Sequence, residues 1–123
     1  MAATDFDQLV KRALKRIPAE FREIMQRENI AVVVLDWPDP QLVEEVLGDK
    51  TDLLYGLFTG IPLPDRQTQD MELPNIIHLF RGPLEQDFPA PGELEREVAI
   101  TLFHEIGHFM GMDEETLEKR GYG

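Results

Sequence analysis

The chain has 123 residues, 42% of them apolar, no cysteine, and a formal charge of −12 from 12 basic and 24 acidic side chains. This suits one domain, residues 1–123, around a single core, and the lack of cysteine excludes disulfides and thiolate metal sites, leaving His and carboxylate as the strong ligands. The acid excess repels nucleic-acid phosphates and anionic membrane surfaces, so neither is an expected partner.

Taken in chain order, Phe6, Leu9, Val10, Ala13, Leu14 and Ile17 recur at three- and four-residue steps, with Lys11, Arg12, Lys15 and Arg16 between them. This spacing predicts an amphipathic helix, capped by Thr4 or Asp5 and ended by Pro18, its basic stripe facing water. A second helical stretch follows through Phe21, Ile24 and Met25. Ile30 to Leu35 is a β-branched apolar run stopped by Asp36-Trp37-Pro38-Asp39-Pro40, which predicts a buried strand in the middle of a sheet. Gln41 to Leu47, closed by Gly48, reads as a short helix. Leu53 to Phe58 and Ile76 to Phe80 read as further strands, separated by a loop over 60–74 that is expected to be mobile. Residues 82–92 form a proline-broken loop leading to a helix that starts near Glu93. No apolar run approaches the ~20 residues that span a bilayer, and Met1 to Ile17 lacks the uninterrupted apolar core of a signal peptide, so the cytosol is the expected location.

The last helix carries His104-Glu105-Ile106-Gly107-His108, the pattern H-E-x-x-H. Side chains four apart lie one turn above each other, so His104 and His108 can grip one ion. Glu105, one step round, can take a proton from water on that ion's open side. A solvated helix face would explain the same residues more simply. Against that, Val98, Ala99, Leu102, Phe103, Ile106 and Phe109 make the helix too apolar for a free surface, and partly buried imidazoles need partners. A catalytic zinc has three protein ligands, which leaves the set one short. Gly111 can take the left-handed conformation that turns the chain back after a helix, and Asp113 and Glu114 follow at once. Either acid is a candidate for the third ligand, Asp113 with the shorter side chain and Glu114 one residue further on. His78 stands apart from the motif and is expected to be structural. Met71, Met110 and Met112 are expected to fill core gaps.

Three stretches resemble the small bacterial zincin-like metallopeptidase family: Leu53-Leu54-Tyr55-Gly56-Leu57-Phe58-Thr59-Gly60-Ile61-Pro62-Leu63, then Leu73-Pro74-Asn75-Ile76-Ile77-His78-Leu79-Phe80-Arg81, and His104-Glu105-Ile106-Gly107-His108-Phe109-Met110-Gly111. The run from His104 to Glu114 resembles the extended signature H-E-x-x-H-x-x-G-x-x-[H/D], with Glu114 departing from its usual last residue. The resemblance implies a minimal zincin-like α+β domain, a small mixed sheet packed on helices with the H-E-x-x-H helix towards the C-terminus. It also implies little of the C-terminal subdomain that walls the cleft in larger relatives. It further implies one Zn²⁺ held by His104, His108 and Glu114 or Asp113, Glu105 as general base, and peptide or protein substrates. An exposed sheet edge, from Leu53 to Phe58 or from Ile76 to Phe80, could pair with the substrate backbone. The rival reading is a binding module on the same scaffold, holding metal for stability or holding none, with no hydrolysis.

Overall fold

The computed structural model describes residues 3–48, 54–59 and 75–112, with 115 and 119. The elements run α1 (Ala3–Lys15), α2 (Ala19–Arg27), β1 (Ile30–Leu35), α3 (Pro40–Leu47), β2 (Gly56–Thr59), β3 (Asn75–Phe80), α4 (Arg81–Asp87) and α5 (Pro91–Phe109). This is an α+β arrangement in which helices pack on a small mixed sheet, as anticipated. The loop over 60–74 lies outside the described residues.

Each boundary has a local cause. Helix α1 begins at Ala3, so both anticipated caps fall inside its first turn, where the charge of Asp5 suits the helix dipole. Pro18 supplies the extended residue before α2. Asn29, at φ +52°, makes the left-handed step between α2 and β1. Asp39 caps α3 by accepting the amide of Gln41 at 2.8 Å, and Gly48 ends that helix at φ +83°.

In the sheet, the order is β1-β3-β2, with β1 parallel and β2 antiparallel to β3. The mid-sheet position expected of Ile30–Leu35 therefore belongs to β3. A run of β-branched residues signals a strand but not its neighbours, and β1 is an edge strand whose Val33 and Leu35 face water. The stretch read as a loop over 82–92 contains α4. Pro83 sits in that helix's first turn, where a missing N–H costs nothing, so it does not break the element. Trp37 lies flat over Gly82, and Gly82 donates its amide to the Asp36 carbonyl at 2.7 Å, tying α4 to the turn after β1.

The core sits between α1, α2, α5 and one face of the sheet. Phe6, Leu9 and Ala13 from α1, Phe21 from α2, and Ile77 and Leu79 from β3 pack with Leu94, Val98, Leu102, Phe103, Ile106 and Phe109 of α5. Phe21 meets Phe103 edge to face, with ring centroids 4.7 Å apart. Met110 and Met112 lie against this core, in the gap-filling role expected of them; Met71 falls outside the described residues. The basic stripe of α1 is not wholly turned to water: Arg12 and Arg16 reach Glu95 of α5 at 2.7 and 3.3 Å. A smaller cluster of Val43, Leu54 and Phe80 fills the other sheet face beneath α3. No helix among the described residues is long and apolar enough to cross a membrane.

Strand β2 lies hard against α5. A Cβ added at Gly56 would come 2.6 Å from Thr101 Cγ2 and 3.1 Å from the His78 carbonyl. Gly56→Ala should therefore cost about 1–3 kcal/mol, despite the backbone entropy that alanine saves. Thermal melting followed by circular dichroism checks this. Adding Thr101→Ser removes the offending methyl and keeps the hydroxyl that donates to the Glu97 carbonyl, so it should recover part of the loss. A Gly56→Ala protein that melts at or above the parent temperature would show that the close approach constrains nothing.

Candidate active site

Helix α5 is buried along most of its circumference, by Leu94, Val98, Leu102, Phe103, Ile106 and Phe109 among others. From Glu97 onward the strip left open is Glu97, Ile100, Thr101, His104, Glu105 and His108, all of which line one cleft. The cleft holds about 650 Å³ and is walled on its other sides by β2 and the last turn of α3. A groove of about 670 Å³ beside β1 is as large, but it is lined by residues such as Leu14, Arg22, Met25 and Val32 and brings no ligating or acid–base pair together. Chemistry, not volume, distinguishes the two.

Within the cleft His104 and His108 meet as the four-residue spacing requires: their Nε2 atoms are 2.9 Å apart and their rings stand at 69°. One ring nitrogen donates to the other, the roles being set by the tautomers, and an ion bound between the facing nitrogens would take the place of that shared proton. Two imidazoles on a tetrahedral zinc, bonded at ~2.0–2.1 Å, have nitrogens roughly 3.3 Å apart, so opening this pair by a few tenths of an ångström would suit the ion. The donor set fits zinc. Among the described residues no third His, Asp or Glu completes a three-ligand group. Asp113 and Glu114 lie outside the described residues.

The end of α5 matches the expectation for Gly111, which stands at φ +85°. Its amide donates to the His108 carbonyl at 3.0 Å, and that of Met112 donates to the Gly107 carbonyl at 2.9 Å. This pair of bonds is the Schellman arrangement, and it turns the chain back immediately after the second histidine.

Glu105 is held by a contact that no side-chain pattern announces. The amide of Phe58 in β2 donates to Glu105 Oε2 at 3.2 Å, and the Phe58 ring packs on Phe109 with centroids 5.3 Å apart. That amide points away from β3, because backbone groups in an antiparallel strand alternate between its two sides. The outer edge of β2 thus runs along the cleft beside the motif. Of the two edges entertained for substrate pairing, Ile76–Phe80 is excluded, since β3 has a strand on each side. Strand alternation puts His78 on the sheet face away from α5.

A family model for zincin-like metallopeptidases matches residues 27–122. The chain belongs to the zincin-like metallopeptidase family. The matched stretch holds the whole sheet and the H-E-x-x-H helix, leaving only α1 and most of α2 outside it. No curated protein matches the chain. Peptidases of this family are zinc enzymes by description, and the converging histidines here are the donors such an ion needs.

Other cleft residues were not singled out by the motif. Glu97, Thr101, His104 and His108 repeat at four, three and four residues, a helical stripe that is present in the sequence once the motif is taken as its anchor. The phenol of Tyr55 donates to Asp87, which no local pattern joins to it. Burial, then the bond to Asp87, then the charges of Asp87 and Glu97, push the Tyr55 pKa from 10.0 up to about 12. The folded state thus favours the neutral phenol. Its contribution to stability is complete below pH 10 and fades as pH rises through about 12. Ultraviolet titration should show a phenolate step near pH 12 that Tyr55→Phe removes; a step near pH 10 lost in that variant instead would contradict the Asp87 contact.

Proposed function

We propose that this chain is a zinc-dependent peptidase, in which His104 and His108 hold the metal with Glu114 or Asp113, and Glu105 acts as general base. The observation that carries it is the convergence of the two Nε2 atoms at 2.9 Å with Glu105 held beside them by the Phe58 amide. When bound, one Zn²⁺ supplies Lewis acidity, polarising a scissile carbonyl and lowering the pKa of water at the site to about 7.

The rest of the work falls to this chain's own groups. Glu105 takes the proton of the attacking water and later delivers it to the leaving amine, so that hydrolysis of the C–N bond leaves a carboxylate and an amine. The Phe58 amide fixes one carboxylate oxygen and leaves the other for proton transfer. An extended peptide can lie along the outer edge of β2, which keeps its scissile carbonyl near the histidines. Substrates are accordingly peptides or proteins, and residues 1–123 act as one domain. The net charge of −12 supports the absence of nucleic-acid and anionic membrane partners, and the apolar-run pattern supports a cytosolic location.

Glu105→Gln should keep zinc and fold while lowering peptide hydrolysis by at least about a hundredfold, because it removes the base and not a ligand. Turnover in a peptide-library digest that stays at the parent rate would falsify this mechanism. Zinc content by elemental mass spectrometry should be near one ion per chain and fall away in His104→Ala/His108→Ala. For the third ligand, Glu114→Ala and Asp113→Ala are compared by zinc affinity; the true ligand should cost well over the ~10–100-fold expected of a supporting neighbour. Equal, small losses in both variants would place it elsewhere. Zinc retained without hydrolysis of any library peptide would favour the binding-module reading.

A further inference from the structure

Two large aliphatic residues of the cleft stand outside the buried clusters of the fold. Val46 and Leu47, on the last turn of α3, are 44% and 40% exposed, and neither joins the cluster of Val43, Leu54 and Phe80 that anchors that helix. Both nevertheless line the cleft that holds His104, Glu105 and His108. Half-buried Ile100 and Leu57 line the same cleft from α5 and β2, so four aliphatic side chains from three elements converge there. In a chain carrying 24 acidic residues, an exposed apolar cluster beside the proposed chemistry marks a surface that something apolar covers.

We infer that this cluster is a specificity pocket, and that the peptides bound are those with a bulky aliphatic or aromatic residue one or two positions from the cleaved bond. The inference rests on the peptidase reading of the site. Ile100 precedes His104 by four residues, or ~6 Å along the helix axis. An extended peptide advances ~3.3 Å per residue, so a side chain level with Ile100 belongs to a residue one or two places from the group held at the histidines. Glu97, two turns before His104, adds negative charge to the same cleft, next to the Tyr55–Asp87 pair. Acidic side chains are therefore disfavoured in the pocket, while aliphatic and aromatic ones gain by leaving water.

The test separates binding from turnover. Capped alanine-based hexapeptides that differ only at one central residue, Leu, Phe, Ala or Asp, are titrated by NMR into Glu105→Gln protein, with and without zinc. Leu and Phe should bind about tenfold more tightly than Ala, and Asp more weakly than Ala. Val46→Lys/Leu47→Lys, placed at exposed helical positions and checked for fold by circular dichroism, should bring the Leu-to-Ala ratio close to one. Glu105→Gln protein that binds all four alike, or binds none, overturns the inference, as does a ratio that survives the double substitution. Incubating the same peptides with the parent protein tests the peptidase reading apart from the pocket: a preserved Leu preference with no cleavage leaves the pocket standing and removes the hydrolysis.

Discussion

The approach of β2 to α5 is the constraint on which the site depends. Gly56 has no side chain, so the strand can settle against Thr101, and only then does the Phe58 amide reach Glu105. The same approach turns the outer edge of the strand into the cleft wall. A carboxylate on a helix surface would otherwise sample several rotamers; here one backbone donor and a packed Phe58–Phe109 pair select among them. The geometry of Glu105 is thus set by backbone packing one layer away from it.

Helix α5 must satisfy two demands at once. Its apolar residues occupy most of the circumference and join α1, α2 and the sheet into one core, while a narrow strip carries Glu97, Thr101, His104, Glu105 and His108 into the cleft. The strip is narrow because the helix is surrounded, and this is what partly buries His104 and His108 without taking them out of reach of solvent. On the far side of the molecule, Glu95 draws Arg12 and Arg16 onto the same helix, adding an electrostatic tie between α1 and α5 at the rim of the packed core.

What could be read from the sequence was what has a short period. The histidine pair, the helical faces of α1 and α5, the left-handed turn at Gly111 and the stop at Gly48 all depend on residues a few positions apart, and each stands where its spacing indicates. What could not be read depends on residues that meet only after folding. Ile30–Leu35 is as apolar as a central strand, yet β3 takes the centre because both other strands pair with it. Pro83 reads as a breaker until its place in the first turn of α4 is known. The contacts from Phe58 to Glu105 and from Tyr55 to Asp87 span 47 and 32 positions, and no local pattern encodes either.

The pairing of β1 with β3 joins Ile30 to Asn75, and α1 at one end of the chain packs on α5 near the other. Much of the core is thus built from contacts distant along the chain, which reward the molecule only after long loops have closed. Helix α5 supplies both the histidine pair and the largest share of the core, so docking it is the same event as forming the cleft. With α5 undocked, the wall that β2 forms and the Phe58 amide that holds Glu105 are lost together with the core, so the cleft exists only in the fully packed molecule.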